Sequence, residues 1–406
     1  MNSLHLTGYG VKVKTNNLKS RSELAITDGR EDLKTETATH SFRPRRIPYD
    51  SIIIDGHSGY ISLQAFHWLS RNNIPAFILS FDGNLISSIM PPTPIKADLR
   101  VTQIQASTDE AKCFRIAYAL VKAKIQRTLD VLNWIGQRHD IGDRIRHVKT
   151  EALTLSKAES VSDVRIAEGR VAKRYWEAYQ TVIPECFDFQ TRMTKSHQNN
   201  ATDPINLALN YAYGVLEGEC RRAINTVGLE PSIGFLHNSS DYQTKQSLVY
   251  DLQEPFRWIG DVTVLEAFEA GLLDLKDFYF LGDDYRYRIE GDAKRRFLAL
   301  LKDRFNSGVH YRGCTCKWDT VILYKLQELA RYLTGKSKQL DFTEPHVNLK
   351  RIDDRAVRDY ILKLSQSEAR ELGIAKSTLY YLRKNAESEG SFKIYGKVAD
   401  RLAYVK

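Results

Sequence analysis

Ser107-Thr-Asp-Glu-Ala-Lys-Cys-Phe-Arg-Ile-Ala-Tyr-Ala-Leu-Val-Lys-Ala-Lys-Ile-Gln-Arg-Thr-Leu-Asp-Val-Leu132 marks a change of period in the chain. Ser107 and Glu110 have capping-box spacing, and Phe114, Ala117, Val121, Ile125, Leu129 and Leu132 follow at three- and four-residue steps. That spacing predicts a long amphipathic helix whose stripe is core and not a cofactor box. Upstream, residues 1–95 are punctuated by Gly8, Gly10, Gly29, Gly56, Gly59 and Gly83, with β-rich runs Ser51-Ile-Ile-Ile-Asp55 and Ile74-Pro-Ala-Phe-Ile-Leu-Ser80 between them. This part reads as short strands with one helix, Ser62 to Arg71, capped by Ser62 and gathering Leu63, Phe66, His67 and Leu69 on one side. Pro91, Pro92 and Pro94 each fix φ and lack an N–H, so they form a stiff connector and set a boundary.

Downstream the helical period recurs at Val164 to Tyr179, Pro204 to Val227, Leu265 to Leu272, Ala293 to Phe305 and Trp318 to Leu333. The expectation is an α+β multidomain chain: a β-rich domain over 1–95, an all-α catalytic domain over 96–340, a linker over 341–355 broken by Pro345, and a final domain over 356–406. The 59 Lys and Arg against 50 Asp and Glu leave a formal charge of +9, which favours phosphate-bearing partners without proving one. Lys12, Lys14, Lys19 and Arg21 interrupt the apolar residues of 1–26, so no signal-peptide core is expected there. No stretch is apolar enough to span a bilayer, and a cytoplasmic protein with no membrane partner follows. Five scattered cysteines (Cys113, Cys186, Cys220, Cys314 and Cys316) argue for reduced thiols. The Cys314/Cys316 pair lacks a second pair or a histidine at zinc-finger spacing.

Three segments carry candidate chemistry. Glu168 lies among Arg165, Arg170, Lys173 and Arg174 on a helix that also holds Val164, Val171 and Trp176. Pro231-Ser-Ile-Gly-Phe-Leu-His237 delivers a histidine after an apolar turn, and Ser247-Leu-Val-Tyr-Asp-Leu-Gln-Glu-Pro255 places Asp251 and Glu254 three apart on one helical face. Spacing alone allows a plain alternative: a solvated Glu168, an Asp/Glu pair favoured by a helix N-terminus, and a satisfied turn histidine.

The strings Glu168-Gly-Arg-Val-Ala-Lys-Arg-Tyr-Trp176, Ile233-Gly-Phe-Leu-His237 and Ser247-Leu-Val-Tyr-Asp-Leu-Gln-Glu-Pro-Phe-Arg257 resemble, in order, the signature blocks of the CRISPR spacer-acquisition integrases. The resemblance also takes in Lys122-Ala-Lys-Ile125, Asp203-Pro-Ile-Asn206, Asn210-Tyr-Ala-Tyr-Gly214 and the strand-helix-strand pattern of 47–80, so it covers most of residues 1–335. It implies an N-terminal β domain and a helical domain holding a divalent metal on Glu168, His237 and Glu254, with Asp251 adjacent. Such ligands suit Mg²⁺ or Mn²⁺, the imidazole leaning towards Mn²⁺. The family's nucleophile is the 3′-OH of incoming DNA, so no protein nucleophile is implied. Tyr213 falls at the family's aromatic position near the site and is a candidate DNA contact, and Arg165, Arg170, Lys173 and Arg174 are candidate phosphate contacts.

The tail departs from that pattern. In Leu364-Ser-Gln-Ser-Glu-Ala-Arg-Glu-Leu-Gly-Ile-Ala-Lys-Ser-Thr-Leu-Tyr-Tyr-Leu-Arg-Lys384, Ser367 caps a short helix ending at Gly373 and 376–384 supply a second. This reads as a helix-turn-helix with Lys376, Ser377, Thr378, Tyr381, Arg383 and Lys384 available to a DNA groove, and Phe392 to Tyr395 as a wing-like strand. An integrase core with this appendage resembles the casposases, transposon-encoded integrases that act on double-stranded DNA, both element ends and target, as a homo-oligomer, a dimer or a tetramer on DNA. Two alternatives stay open: a CRISPR spacer integrase with an extra tail, and an inactive DNA-binding regulator.

Overall fold

The computed structural model describes residues 2–18, 21–30, 37, 39–56, 58–80, 82–92, 96–192, 201–237, 246–281, 286–347, 349, 361–371 and 374–387. The first ninety residues fold into two four-stranded sheets. β1 (Ser3–Gly8), β5 (Ser51–Gly56) and β7 (Ala76–Leu79) run parallel, with β8 (Leu85–Ile89) antiparallel at the edge. The second sheet runs β4 (Thr39–Phe42), β3 (Arg21–Thr27), β2 (Val11–Leu18), β6 (Gly59–Ile61). The isoleucine run of β5 is buried on both faces, as a covered parallel strand requires. Side chains alternate across the pleat, so Ile52 and Ile54 enter a core inside the β-rich part while Ile53 joins the helical core. α1 (Leu63–Arg71) is capped by Ser62 as expected, but its buried face is Ala65, Trp68 and Leu69, leaving Leu63 74% exposed.

The helical body begins with α2 (Ala97–Thr108) and α3 (Glu110–Ile135). Ser107 lies in the last turn of α2, and Asp109 caps α3 by accepting from the Lys112 N–H at 3.0 Å, correcting the capping box expected at Ser107/Glu110. Next come α4 (Gly142–Ala152), α5 (Val161–Gln180), α6 (Pro204–Val227), α7 (Ser247–Gln253) and α8 (Trp258–Glu269). A hairpin of β9 (Phe278–Leu281) and β10 (Arg286–Ile289) leads to α9 (Gly291–Asn306). A second hairpin, β11 (Val309–Tyr311) and β12 (Cys314–Cys316), leads to α10 (Trp318–Leu333). The middle region is therefore a helical body carrying two short hairpins, not all-α. Cys314 and Cys316 sit in the second hairpin as free thiols.

α6 is the axis of the body. Asp203 accepts from the Asn206 N–H at 2.7 Å, Pro204 opens the first turn, and Gly228 ends the helix at φ +90°, where other residues are strained. Apolar side chains bury nearly its whole circumference. The β7–β8 turn closes on it at backbone distance: a Cβ on Gly83 would lie 2.4 Å from the Tyr211 nitrogen, and one on Gly214 would lie 2.1 Å from the Gly83 carbonyl oxygen. Beside this contact the Lys294 ammonium meets Asp55 at 2.5 Å, both side chains nearly sealed from solvent.

After α10 the chain folds back: Phe342 is buried, Lys325 donates to the Asp341 carbonyl at 2.8 Å and Arg127 to that of Pro345 at 2.5 Å. The first residues of the expected linker are thus docked on the body, and most of its remainder lies outside the described residues. In the tail, α11 (Gln366–Glu371) and α12 (Lys376–Glu387) close over Ile361, Leu364, Ala369, Ile374, Leu379, Leu382 and Ala386. Ser365 caps α11, exchanging bonds with Glu368 at 2.8 and 3.2 Å, where Ser367 was expected to do so. Gly373 and the 392–395 strand lie outside the described residues.

Candidate active site

α3 and α5 form one wall. α5 starts from a Ser160/Asp163 capping box and buries Val164, Ala167, Val171 and Tyr175, which sets Glu168 at the edge of the buried stripe, its side chain one quarter exposed. Lys124 of α3 faces it. The Lys124 ammonium contacts Glu168 Oε1 and lies 2.6 Å from Glu254 Oε2.

The opposite wall is irregular backbone. From Gly228 to His237 the chain makes no long element, and its polar groups are met by side chains. Gln103 of α2, fully buried, donates from Nε2 to the carbonyls of Glu230 and Ile233 at 2.9 and 2.7 Å and accepts the Glu230 N–H at 2.8 Å. Arg165 Nε donates to the Leu236 carbonyl at 2.6 Å. Asp251, fully buried on α7, accepts the N–H groups of Phe235, Leu236 and His237 at 2.5, 3.0 and 2.9 Å. A Cβ on Gly234 would come within 2.8 Å of Asp251 Oδ2, so only glycine admits this carboxylate.

Asp251 Oδ1 also accepts from His237 Nδ1 at 2.7 Å. An ionised carboxylate can only accept, so Nδ1 carries the proton and the Nε2 lone pair is left pointing away from Asp251. Nε2 lies 4.0 Å from Glu254 Oε1. The two carboxylates expected on one helical face thus flank the imidazole from opposite sides. Asp251 lies in the second half of α7, and Glu254 follows it as the first residue of a 3-10 turn.

Glu254 is nearly buried and charged. Burial alone would push its carboxyl up, but Arg257 at 3.2 Å and Lys124 outweigh it and hold the group below the usual carboxylate range. Burial works against the Lys124 ammonium too, and Glu254 and Glu168 outweigh it, raising its affinity for the proton. Behind Glu254 a cavity of about 40 Å³ is lined by Lys124, Glu168, Tyr175, Tyr213, Arg257 and Asp261 among others, room for about one ion or water. At its base Asp261 accepts from the hydroxyls of Tyr213 and Tyr175, the latter at 2.7 Å, and Tyr179 donates to the Asp261 carbonyl at 2.8 Å. Burial raises the three phenols well above their usual range, so they stay donors.

The structure brings Glu168, His237, Asp251 and Glu254 together. Tyr213 is buried, its hydroxyl on Asp261 and its ring between Arg192 and Arg257 at 5.2 and 5.0 Å, so it faces the protein interior. Arg170 and Lys173 are exposed, Arg174 pairs with Glu177 at 3.0 Å, and Arg165 is tied to the histidine loop. On α12, Lys376, Ser377, Tyr381 and Lys384 are exposed and Thr378 is half-buried. Arg383 turns inward to the Leu364 carbonyl, while Tyr380, not singled out from sequence, is 64% exposed. Sequence reading assigned no role to Gln103, Lys124 or Arg257. Lys124 and Arg257 lie inside the quoted blocks, whereas Gln103 carries no local signal.

The donor set of two carboxylates and one neutral imidazole nitrogen fits a hard divalent ion. Glu254 Oε2 supports the fit: it is buried, and the group 2.6 Å from it is itself a cation, the Lys124 ammonium. Asp251 on Nδ1 is the kind of outer partner that orients a ligating histidine. Among the described residues no three such side chains are already gathered as a cage.

The family model described as CRISPR associated protein Cas1 matches residues 17–303. A CRISPR-associated endonuclease Cas1 of Archaeoglobus fulgidus is 28% identical over 302 residues, covering 70% of this chain and 86% of the relative. One from Methanopyrus kandleri is 30% identical over 260 residues, covering 62% and 76%. Among solved structures, a casposase bound to integration product superposes with a TM-score of 0.78 at 34% identity, covering 89% of this chain and 99% of that one. A Cas1 protein from Thermotoga maritima, at 17% identity and TM-score 0.66 over 82% and 97%, shares the fold.

Proposed function

This chain belongs to the Cas1 family, a casposase among its relatives, and on that premise we propose that it joins the 3′-OH of a transposon-like DNA end to a target strand by metal-dependent transesterification. The observation that carries the reading is the imidazole of His237, fixed by Asp251 so that Nε2 is free beside Glu254 and across from Glu168. Glu168, His237 and Glu254 would hold the ion, Mn²⁺ or Mg²⁺. When bound, such an ion polarises the phosphodiester and stabilises charge on the attacking and leaving oxygens.

The chain's own groups do the rest. Asp251 keeps the imidazole in one tautomer and orientation. Arg257, fixed on Glu254, and Lys124 supply positive charge where a phosphodiester would enter. The reaction balances without a protein nucleophile: the O3′ of the incoming end bonds to the target phosphorus, and the bond from that phosphorus to the target O3′ breaks, releasing a target 3′-OH. Arg170 and Lys173 extend the basic surface along α5. The α11–α12 pair acts as the helix-turn-helix reader, with Lys376, Ser377, Thr378, Tyr381 and Lys384 towards the groove and Arg383 bracing the pair from inside. We assign the protein to double-stranded DNA as a homo-oligomer, and no described helix is long and apolar enough to cross a membrane.

The test uses short duplexes, a plasmid and Mn²⁺, with the junctions sequenced. Ordinary 3′-OH ends should join and 3′-dideoxy ends should not, because the attacking oxygen is gone; equal joining of both sinks the transesterification reading. The Cas1 endonuclease relatives favour a second reading, spacer integration. Accurate insertion that requires a partner protein or a repeat array would select it over a casposase acting alone.

A further inference from the structure

The two glutamates assigned as ligands are already met by protein cations. Lys124 lies between Glu168 Oε1 and Glu254 Oε2, and Arg257 holds Glu254 Oε1 at 3.2 Å. Arg257 approaches Glu254 alone, while Lys124 bridges both, so its ammonium stands where a shared cation would stand. The lysine is sequestered, its side chain 19% exposed against 4% for Glu254. A divalent ion entering this space meets a like charge at close range in a poorly solvated pocket, where repulsion is weakly screened. A phosphodiester brought to the same pocket offers the ammonium an alternative anionic partner.

Building on the metal reading above, we propose that Lys124 makes metal loading depend on DNA: its ammonium holds Glu168 and Glu254 together until a phosphodiester takes it over, and the ion binds as it leaves. The lysine is a positioning residue in the free protein and a phosphate contact in the complex. By linkage, DNA tightens metal binding and metal tightens DNA binding by the same factor. The arrangement makes the metal site harder to load when no DNA is bound.

The test is calorimetric titration of MnCl₂ into the full-length protein, alone and with a short duplex bearing 3′-dideoxy ends, which binds but cannot join. In the wild type the duplex should tighten Mn²⁺ binding by about tenfold or more, within the usual span of coupled binding sites. Lys124→Met should bind Mn²⁺ without DNA about as tightly as the wild type does with it, and the duplex should then change the affinity by less than about threefold. Lys124→Arg, which keeps the charge, should retain the wild-type coupling. Lys124→Gln repeats the neutral substitution with a polar side chain, and melting curves without metal identify any variant that has lost its fold. Unchanged or weaker Mn²⁺ binding by both folded neutral variants overturns the proposal. Glu254→Gln separates the two layers: it should lose Mn²⁺ binding with and without DNA. If it binds Mn²⁺ normally, the metal site itself is misassigned and the proposal falls with it. If it loses Mn²⁺ while Lys124→Met behaves as wild type, only the proposal falls.

Discussion

The two walls of the site are built by different means. Glu168 and Lys124 project from α5 and α3, long helices whose backbone bonds are internal and whose positions are set by apolar packing. His237 comes from a loop whose shape depends on hydrogen bonds from Gln103, Arg165 and above all Asp251. The first wall should keep its shape when Glu168 is changed. The second is held by polar side chains that never touch the reacting atoms, so its stability and its chemistry are the same property.

Asp251→Ala should separate the walls most sharply. It leaves three backbone N–H groups and the His237 Nδ1–H without their acceptor, and should cost about 3–5 kcal/mol of stability and abolish joining. Urea unfolding checks the first part; a variant as stable as wild type would erase the contrast between the walls. Gln103→Ala, further from the chemistry, should cost about 1–2 kcal/mol because it leaves the part-buried Glu230 N–H and two carbonyls without their partner. Joining by this variant should fall with loop order and recover in part at low temperature, and a variant with wild-type melting and joining would show that the loop holds itself. The smallest effect on stability belongs to Glu168→Gln: within about 1 kcal/mol, since Glu168 is partly exposed and Lys124 keeps Glu254. Its joining should nevertheless be lost. A loss of stability as large as that of Asp251→Ala would mean that the helical wall also depends on its polar contacts.

What was legible in the sequence follows the same division. The bounds of α6 and α10 could be read closely, because Asp203-Pro204 and Gly228 mark the ends of α6 and a 3.6-residue stripe runs through both. α2 escaped notice because the buried stripe of Leu99, Gln103 and Ala106 has a glutamine in the middle, buried only because a loop 127 residues downstream needs its amide. The two hairpins escaped because strands of three and four residues show no period. In the site, the blocks that carry Glu168, His237, Asp251 and Glu254 were visible. The direction of each carboxylate was not: Asp251 and Glu254 share a spacing, yet one serves the imidazole from behind and the other faces it. Arg383 looked free for a phosphate because it is basic and helical, but the carbonyl of Leu364 claims it.

The buried pair of Asp55 and Lys294 has a consequence for synthesis. The sheet that carries Asp55 is complete by residue 89, but the ammonium that neutralises its carboxylate lies on α9, at Lys294. Burial pushes the Asp55 carboxyl up and Lys294 is the largest influence pulling it back. Until the ribosome has made that stretch, closing the sheet against α6 would bury the carboxylate with the Tyr211 hydroxyl but no cation beside it, which is unfavourable. The amino-terminal strands are therefore made first, and the partner that completes their buried face follows more than two hundred residues later, from 89 to 294.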